Sequence, residues 1–243
     1  LARLVASMKD GTGRVVVPGF YEGTQDLTRG DEAAIAALPD DDETLRRELG
    51  LGSTEGASLA RQLLLPSLNV RGLAGGAVGA TAANVIPTSA TASFDIRLAP
   101  GNDPEAIMDR VVDHIGAQGW HVVDEEPSSE IREHHARVAR VSRKASYPGV
   151  RMETDSPLAR ALIRSAEVAA GEAVVAVPTF GGSVPLHHFV TILDAPIAIT
   201  PFANHDNNQH AANENIRIAN LWYGIDLMAA LMTMQLSAAT SPQ

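Results

Sequence analysis

Cysteine is absent from the 243 residues, and this absence narrows the possible chemistry at once. Disulfides, thiolate metal sites and cysteine nucleophiles are excluded, which leaves His, Asp and Glu as the strong metal ligands that the chain offers. Basic residues are also few, because 19 Lys and Arg stand against 29 Asp and Glu, a net charge of −10. This balance argues against a surface that binds nucleic acid.

Long apolar runs are lacking as well, and none approaches the roughly 20 residues needed to cross a bilayer. The first ten residues do not follow the order of a signal peptide, so we expect a cytoplasmic protein with no membrane contact. The apolar spacing from Leu1 to Met8 is helical but has no capping residue before it. We therefore expect the chain to begin inside a helix and to be part of a longer protein.

The first part of the chain, residues 1–140, has an α+β pattern. Ser67–Leu73 and Thr91–Leu98 are predicted strands, and the second alternates apolar and polar residues as an antiparallel strand with one solvated face does. A helix is predicted to start at Asp103, with Pro at its first position, and to end at Gly119. A further strand is predicted at Trp120–Val123, followed by a charged stretch that we interpret as the domain boundary.

The second part, residues 141–243, alternates helices with short apolar strands. A helix is predicted from Ser156 to Gly171, strands at Val174–Val177 and Ile197–Thr200, and a long helix at Ile218–Leu236. This order is typical of an α/β layer with helices on both faces of the sheet. One stripe of the last helix is predicted to pack in the core: Ile218, Leu221, Trp222, Ile225, Met228, Ala229 and Met232.

The loops that follow the two predicted strands carry the candidate site residues, because ligands in α/β layers bind beyond the carboxyl ends of strands. The first loop contains Gly181, Gly182 and Ser183. Its backbone amides could hold an anion at a helix start, or the segment could be a plain capped turn. A nucleophilic role for Ser183 is disfavoured, because the second glycine of a nucleophile elbow is lacking.

The second loop, residues 201–215, is long and almost wholly polar. A loop of this length and composition is costly to order unless it binds something. His210 is its candidate metal ligand. The alternative is that His210 merely hydrogen-bonds the loop backbone.

In their order and spacing, these motifs resemble the zinc-dependent aminoacylase and dipeptidase family of metallopeptidases. The resemblance rests on Gly-Gly-Ser-Val-Pro at 181–185 and on Asp206-x-x-x-His210-x-x-Asn213-Glu214. Upstream, the segments 15–21, 67–70 and 84–98 resemble the family's inserted lid or dimerisation domain, closest to its dipeptidase branch. The family includes acetylornithine deacetylases, succinyl-diaminopimelate desuccinylases and carnosine-type dipeptidases.

The resemblance implies a role for each candidate residue. His210 matches the family's late zinc ligand, and the 181–183 loop matches a segment that holds substrate. Asn84 and Arg97 match lid residues that reach the substrate, often across a homodimer. Arginine suits the terminal carboxylate of a peptide, although Arg97 could instead pair with Asp95 on the strand surface. The implied cofactor is a pair of zinc ions, with cobalt or manganese as alternatives.

Other family features have no counterpart in the chain. There is no His-x-Asp motif, and the sole Glu-Glu pair, Glu125-Glu126, follows a lid strand where the family has no ligand. Phe180 stands where the dipeptidase branch commonly has an acidic residue. No catalytic residue is therefore predicted in this chain, and the general-base Glu is expected outside it.

The predicted arrangement is a lid or dimerisation domain at 1–140 followed by the C-terminal portion of a catalytic α/β domain at 141–243. The implied function is metal-dependent hydrolysis of a peptide or an N-acyl amino acid, of which this chain is an incomplete part. The alternative is a non-catalytic remnant that binds ligand or dimerises.

Overall fold

The computed structural model describes residues 1–39, 42–48, 50–52, 58–144, 147–180 and 184–235. The chain divides into two compact units. Unit 1 consists of Leu1–Gln25, Asp41–Val150 and Ser183–His187, and unit 2 consists of Asp26–Asp40, Arg151–Gly182 and His188–Gln243.

Helices and short strands both contribute to the fold, which confirms the mixed α/β class. The helices are α1 (Ala2–Ala6), α2 (Arg29–Ala36), α3 (Asp42–Glu48), α4 (Leu59–Gln62), α5 (Pro104–Ala117), α6 (Ser129–His134), α7 (Pro157–Ala170), α8 (His187–Leu193) and α9 (Ile218–Thr233). The strands are β1 (Ser67–Ala74), β2 (Thr91–Arg97), β3 (His121–Val123) and β4 (Val138–Arg140), and a 3-10 turn spans Gly79–Thr81.

Strands β1 and β2 form the antiparallel hairpin of unit 1. Its register places Ser67 opposite Arg97 at one end and Ala74 opposite Thr91 at the other. The pairing shifts between Val70 and Gly72, so Arg71 is the extra residue of a β-bulge. The predicted alternation of β2 is confirmed, because Phe94 and its apolar neighbours pack against the core while Arg97 is exposed.

Helix α5 closes the core of unit 1 and begins as predicted. The side chain of Asp103 accepts a hydrogen bond from the Ala106 amide at 2.8 Å, and Pro104 occupies the first helical position. Its apolar stripe is buried with α1, β1 and the segment that follows α1. The buried cluster consists of Leu4, Met8, Val15, Val17, Phe20, Leu68, Ile107, Val111 and Ile115.

The charged stretch interpreted as a boundary belongs to the fold of unit 1. It contains α6 and β4, and β4 pairs in parallel with β3, with His121 opposite Val138. Glu126 in this stretch is exposed and pairs with Arg132 at 2.5 Å and Arg140 at 2.8 Å. The pairing of β4 with β3 places this charged stretch inside unit 1, which continues to Val150. The assignment of 1–140 as lid and 141–243 as catalytic portion stays a prediction.

Unit 2 is built on the packing of α7 against α9. The Ser156 side chain caps α7 by accepting from the Ala159 amide, and Gly171 ends it in the left-handed conformation at φ 72°. Both boundaries of α7 match the prediction. Leu227 of α9 is buried, at 1% exposure.

Two expectations for unit 2 were wrong. Within its described residues no strand occurs, and the segments 174–177 and 197–200 are unpaired, with Val175 61% exposed and Ile199 49% exposed. The helices consequently do not cover two faces of a sheet there. A strand needs a neighbour for its backbone hydrogen bonds, and the described part of unit 2 supplies none.

The stripe of α9 predicted to be core is also exposed. Trp222 is 61% exposed and Met232 87% exposed, while Gly224 and Leu227 form the buried side. The helix is apolar nearly all round, so its periodicity did not determine which side is buried. None of the helices in the described ranges is both long and apolar enough to span a membrane.

Candidate functional site

The polar loop before α9 is closed at its base by Asn204, which is 6% exposed. The side-chain oxygen of Asn204 accepts from the Arg217 amide at 3.0 Å, and its nitrogen donates to Asp206 Oδ1 at 2.7 Å. The Asn215 amide donates to the Asn207 carbonyl at 2.9 Å. These bonds join the start of the loop to Arg217, the residue that precedes α9.

His210 lies at the tip of this loop, in an unusual backbone conformation. Its φ is +64°, and Asn208 and Asn213 on either side also have positive φ values of 54° and 62°. Few residues other than glycine adopt this region, and asparagine and histidine are both enriched among those that do. The His210 side chain is exposed and makes no hydrogen bond with any residue that the structure describes. The loop therefore presents the imidazole outward, and the ligand role of His210 stays a prediction.

Asp206, the other charged residue of the loop motif, is engaged within the loop. Its Oδ2 lies 2.6 Å from Arg217 Nη2. The hydrogen bond from Asn204 lowers the pKa of Asp206, and the charges of Arg217 and His205 lower it further. Asp206 is thus an ionised carboxylate with its partners already in place.

The described residues do not by themselves fit a complete metal site. No group of three or more His, Asp or Glu side chains that could hold an ion occurs in the described ranges. A closed site needs three or four protein ligands, and His210 supplies one imidazole. The described residues therefore do not form such a site by themselves, and the ligand role of His210 stays a prediction.

Arg97 lies at the end of β2, where its Nε donates to Asp95 Oδ2 at 2.6 Å. The pairing with Asp95 anticipated as the alternative is therefore present in the structure. The Arg97 side chain is 48% exposed, and an exposed pair of this kind contributes about 0–1 kcal/mol. A carboxylate ligand could displace Asp95 at small cost, so the pair does not exclude a substrate role.

Asn84 lies in the exposed connection between β1 and β2, beside Val85 and Ile86. The connection joins the Ala74–Thr91 end of the hairpin, whereas Arg97 lies at the opposite end. At about 3.3 Å per residue, Arg97 is roughly 20 Å from Thr91 along the strand. The other predicted substrate residues, Gly181, Gly182 and Ser183, lie outside the described residues.

Sequence reasoning missed one buried polar cluster in unit 2. Asp31 is 0% exposed and accepts hydrogen bonds from the Thr28 amide at 3.0 Å and the Thr154 hydroxyl at 3.1 Å. The buried Arg151 lies 3.5 Å from it. The capping box formed by Thr28 and Asp31 was a readable signal, but the partners lie more than 110 residues away.

Comparison with known proteins identifies relatives for most of the chain. Residues 1–121 match the family model described as the peptidase dimerisation domain, M20_dimer. The Cys-Gly metallodipeptidase DUG1 of Candida albicans is 24% identical over 228 residues, which is 90% of this chain and 44% of that protein. Human Beta-Ala-His dipeptidase is 25% identical over 237 residues, 95% of this chain and 44% of that protein.

Solved structures agree with these matches. An M20 family metallo-carboxypeptidase from Sulfolobus solfataricus superposes with a TM-score of 0.76 at 26% identity, covering 95% of this chain and 50% of that one. Human carnosine dipeptidase 1 superposes with a TM-score of 0.71 at 23% identity, covering 93% and 47%. The chain thus spans about half the length of the relatives it matches. Residues 1–121 are an M20 peptidase dimerisation domain, and the chain is homologous to M20 metallopeptidases over about half of their length.

Proposed function

We propose that this chain is the C-terminal part of a metal-dependent hydrolase that cleaves dipeptides or N-acyl amino acids. The observation that carries the proposal is the superposition of 95% of the chain on half of a metallo-carboxypeptidase at a TM-score of 0.76. The proposal is also supported by relatives described as metallodipeptidases and by an outward-facing imidazole, His210, on an ordered polar loop.

In this proposal His210 supplies one ligand of a dinuclear zinc site, with cobalt or manganese as alternative ions. When bound, the ions would polarise the scissile carbonyl and activate water. The remaining ligands and the general base are assigned to a part of the enzyme outside this chain. Asn204, Asp206 and Arg217 hold the loop that carries His210.

Arg97 is proposed to bind the terminal carboxylate of the substrate. The pair with Asp95 lies at the surface, where a substrate carboxylate could compete for the guanidinium through a two-bond contact. Asn84 and the 181–183 loop are proposed to bind substrate as well. Because Arg97 and the connection bearing Asn84 lie at opposite ends of the hairpin, we propose that the two contact substrate in different copies of the chain.

A homodimer formed through unit 1 is the arrangement that would allow this. The hairpin and its connection expose apolar side chains that a monomer leaves in water: Val70 (46%), Leu73 (58%), Val78 (82%), Val85 (75%) and Ile86 (90%). The match to a dimerisation domain supports the same arrangement. The molar mass of the full-length protein, measured by light scattering, should be that of two chains.

The exposed stripe of α9 and the unpaired segments 174–177 and 197–200 support the assignment of unit 2 to part of a larger catalytic domain. Apolar segments and helix faces of this kind need a sheet and a second layer to be buried. We propose that the rest of the catalytic domain supplies both. The competing interpretation is a remnant without catalysis, and a gene that encodes no His-x-Asp and Glu-Glu motifs before Leu1 would favour it.

Metal content of two histidine variants tests the proposal. In the full-length protein His210→Ala should lower the zinc bound per chain and abolish hydrolysis while the fold survives. His205→Ala is the matched control, five residues earlier in the same loop, and should do much less. Equal and full metal content in both variants, measured by elemental analysis, would show that His210 is not a ligand. A cytoplasmic location stays a prediction that cell fractionation would check.

A further inference from the structure

Gly224, in the middle of α9, lies against the ring of Phe202 at the start of the polar loop. A Cβ atom built on Gly224 would lie 2.7 Å from Phe202 Cδ2 and 2.9 Å from Cγ. Ordinary carbon contacts are about 3.5–4.0 Å, so any side chain at 224 would displace the ring. Glycine is unfavourable in a helix interior, and this close approach is the physical reason that the helix has one here.

Two further contacts bind the same loop to α9. The side-chain nitrogen of Asn220, one turn before Gly224, donates to the Phe202 carbonyl at 2.9 Å. Asn204, two residues after Phe202, accepts from the amide of Arg217, the residue that precedes α9. The base of the loop is therefore held by one ring contact and two side-chain hydrogen bonds.

These contacts set where the loop tip can lie. Residues 205–216 are largely exposed, and the tip is bonded within the loop, where the Ala211 amide donates to the Asn208 carbonyl at 2.9 Å. The position of His210 relative to α9 consequently depends on the base of the loop. A displaced Phe202 ring would move the base by about 1 Å, the difference between 2.7 Å and an ordinary contact.

We propose that Gly224 is a positioning residue, which seats Phe202 on α9 and thereby places the loop that carries His210. The inference rests on the proposed function only where it concerns the role of His210. The seating of Phe202 on Gly224 and the placement of the loop are the geometric part, which does not depend on that function. Because a misplacement of about 1 Å can cost a hundredfold in rate, such a residue acts on the site without contacting it.

Hydrogen exchange tests the geometric part without any activity measurement. In Gly224→Ala the amides of Asn215 and Arg217, which are bonded across the loop base, should exchange at least tenfold faster. Gly116→Ala is the matched control, because Gly116 also lies in a helix, α5, and a Cβ there meets nothing within 4 Å. That variant should leave exchange in 203–217 unchanged. Equal exchange of these amides in Gly224→Ala and wild type would overturn the inference.

A compensating substitution separates positioning from general damage. Adding Phe202→Leu to Gly224→Ala removes the ring edge that the new methyl group strikes, so exchange should return toward the wild-type rate. A double variant with faster exchange than Gly224→Ala would contradict the contact. Should Gly224→Ala fail to fold, Phe202→Leu alone must raise exchange of the Arg217 amide at least tenfold for the inference to stand, and an unchanged rate would overturn it.

Zinc titration of the full-length protein completes the test. Gly224→Ala should weaken zinc affinity at least tenfold, and Gly116→Ala should not. If His210→Ala retains full zinc while Gly224→Ala loosens the loop, the proposed function of His210 fails and the positioning of the loop stands. If His210→Ala loses zinc while Gly224→Ala changes neither exchange nor affinity, the proposed function stands and this inference fails.

Discussion

Removing the buried charge of Asp31 is the most direct test of what holds unit 2 together. The side chains of Asp31 and Arg151 are 0% and 2% exposed, and Arg151 Nη2 lies 3.5 Å from Asp31 Oδ2. Asp31→Asn retains the size of the side chain and an acceptor oxygen but removes its charge. Loss of one partner of a buried ion pair costs about 3–5 kcal/mol, because the other charge remains buried and uncompensated.

Arg151 has few means of recovering that loss. Its Nη2 donates to the Asp26 carbonyl at 2.6 Å, and its Nε has no hydrogen-bond partner in the described part of the chain. The guanidinium would therefore stay in a nearly dry environment with one carbonyl acceptor. For a chain of this size, a loss of about 3–5 kcal/mol corresponds to a fall of roughly 6–20 °C in Tm.

The same carboxyl makes stability depend on pH. Burial acts to raise the pKa of Asp31, but the Thr28 amide, the charge of Arg151 and the Thr154 contacts together hold it below its ordinary value of 3.8. A carboxyl with a lowered pKa stabilises the fold above its unfolded pKa, and that contribution is lost as the pH falls through the folded pKa. Below pH 4 the free energy of unfolding should therefore depend less on pH in Asp31→Asn than in the wild type.

Thermal and urea unfolding followed by circular dichroism would measure both effects. The matched control is Asp109→Asn, which removes the charge of an exposed carboxylate 2.5 Å from Arg143. That variant should lose about 0–1 kcal/mol, since the pair lies at the surface. The reasoning is refuted if Asp31→Asn is no less stable than Asp109→Asn at neutral pH.

Three further predictions concern other parts of the chain. Burial lowers the pKa of His114, and the contact with Ser7 only partly opposes this. The free energy of unfolding should therefore fall as the pH drops below about 6.5, and it should fall less in His114→Gln. Urea unfolding at several pH values would measure both. In the full-length protein Arg97→Ala should reduce kcat/KM at least tenfold on substrates with a free carboxylate and leave the zinc content intact, because loss of one partner of a desolvated charge pair costs about 2–5 kcal/mol. Unchanged kinetics would assign Arg97 to the Asp95 pair. The 243-residue chain alone should hydrolyse no dipeptide with or without zinc, and turnover that is lost with chelator and restored by zinc would contradict this.

Local signals in the sequence were sufficient for the elements whose causes are local. The caps Asp103 and Ser156 accept from amides three residues along their own helices, and Gly171 ends α7 by a conformation that glycine adopts without strain. The alternation of β2 likewise needs one apolar face and one solvated face. Each of these features involves residues within a few positions of one another, so the order of amino acids alone predicts them.

The loop motif was readable for a similar reason. A polar run that contains a histidine stands out by composition, and its place before a long helix was predicted from the same residues. What composition did not indicate is that Asn204 closes the loop or that Phe202 lies on Gly224. Those contacts join residues 13 and 22 positions apart, and they depend on how the chain turns between them.

The remaining features were decided by tertiary structure, because they depend on partners that periodicity does not identify. The apolar segments 174–177 and 197–200 look like strands, but a strand forms only where a neighbour accepts its hydrogen bonds. Helix α9 is apolar on several sides, and tertiary packing buried the side of Gly224 and Leu227. Asp31 and Arg151 are 120 positions apart, and folding brings two charges together that neither could bury alone.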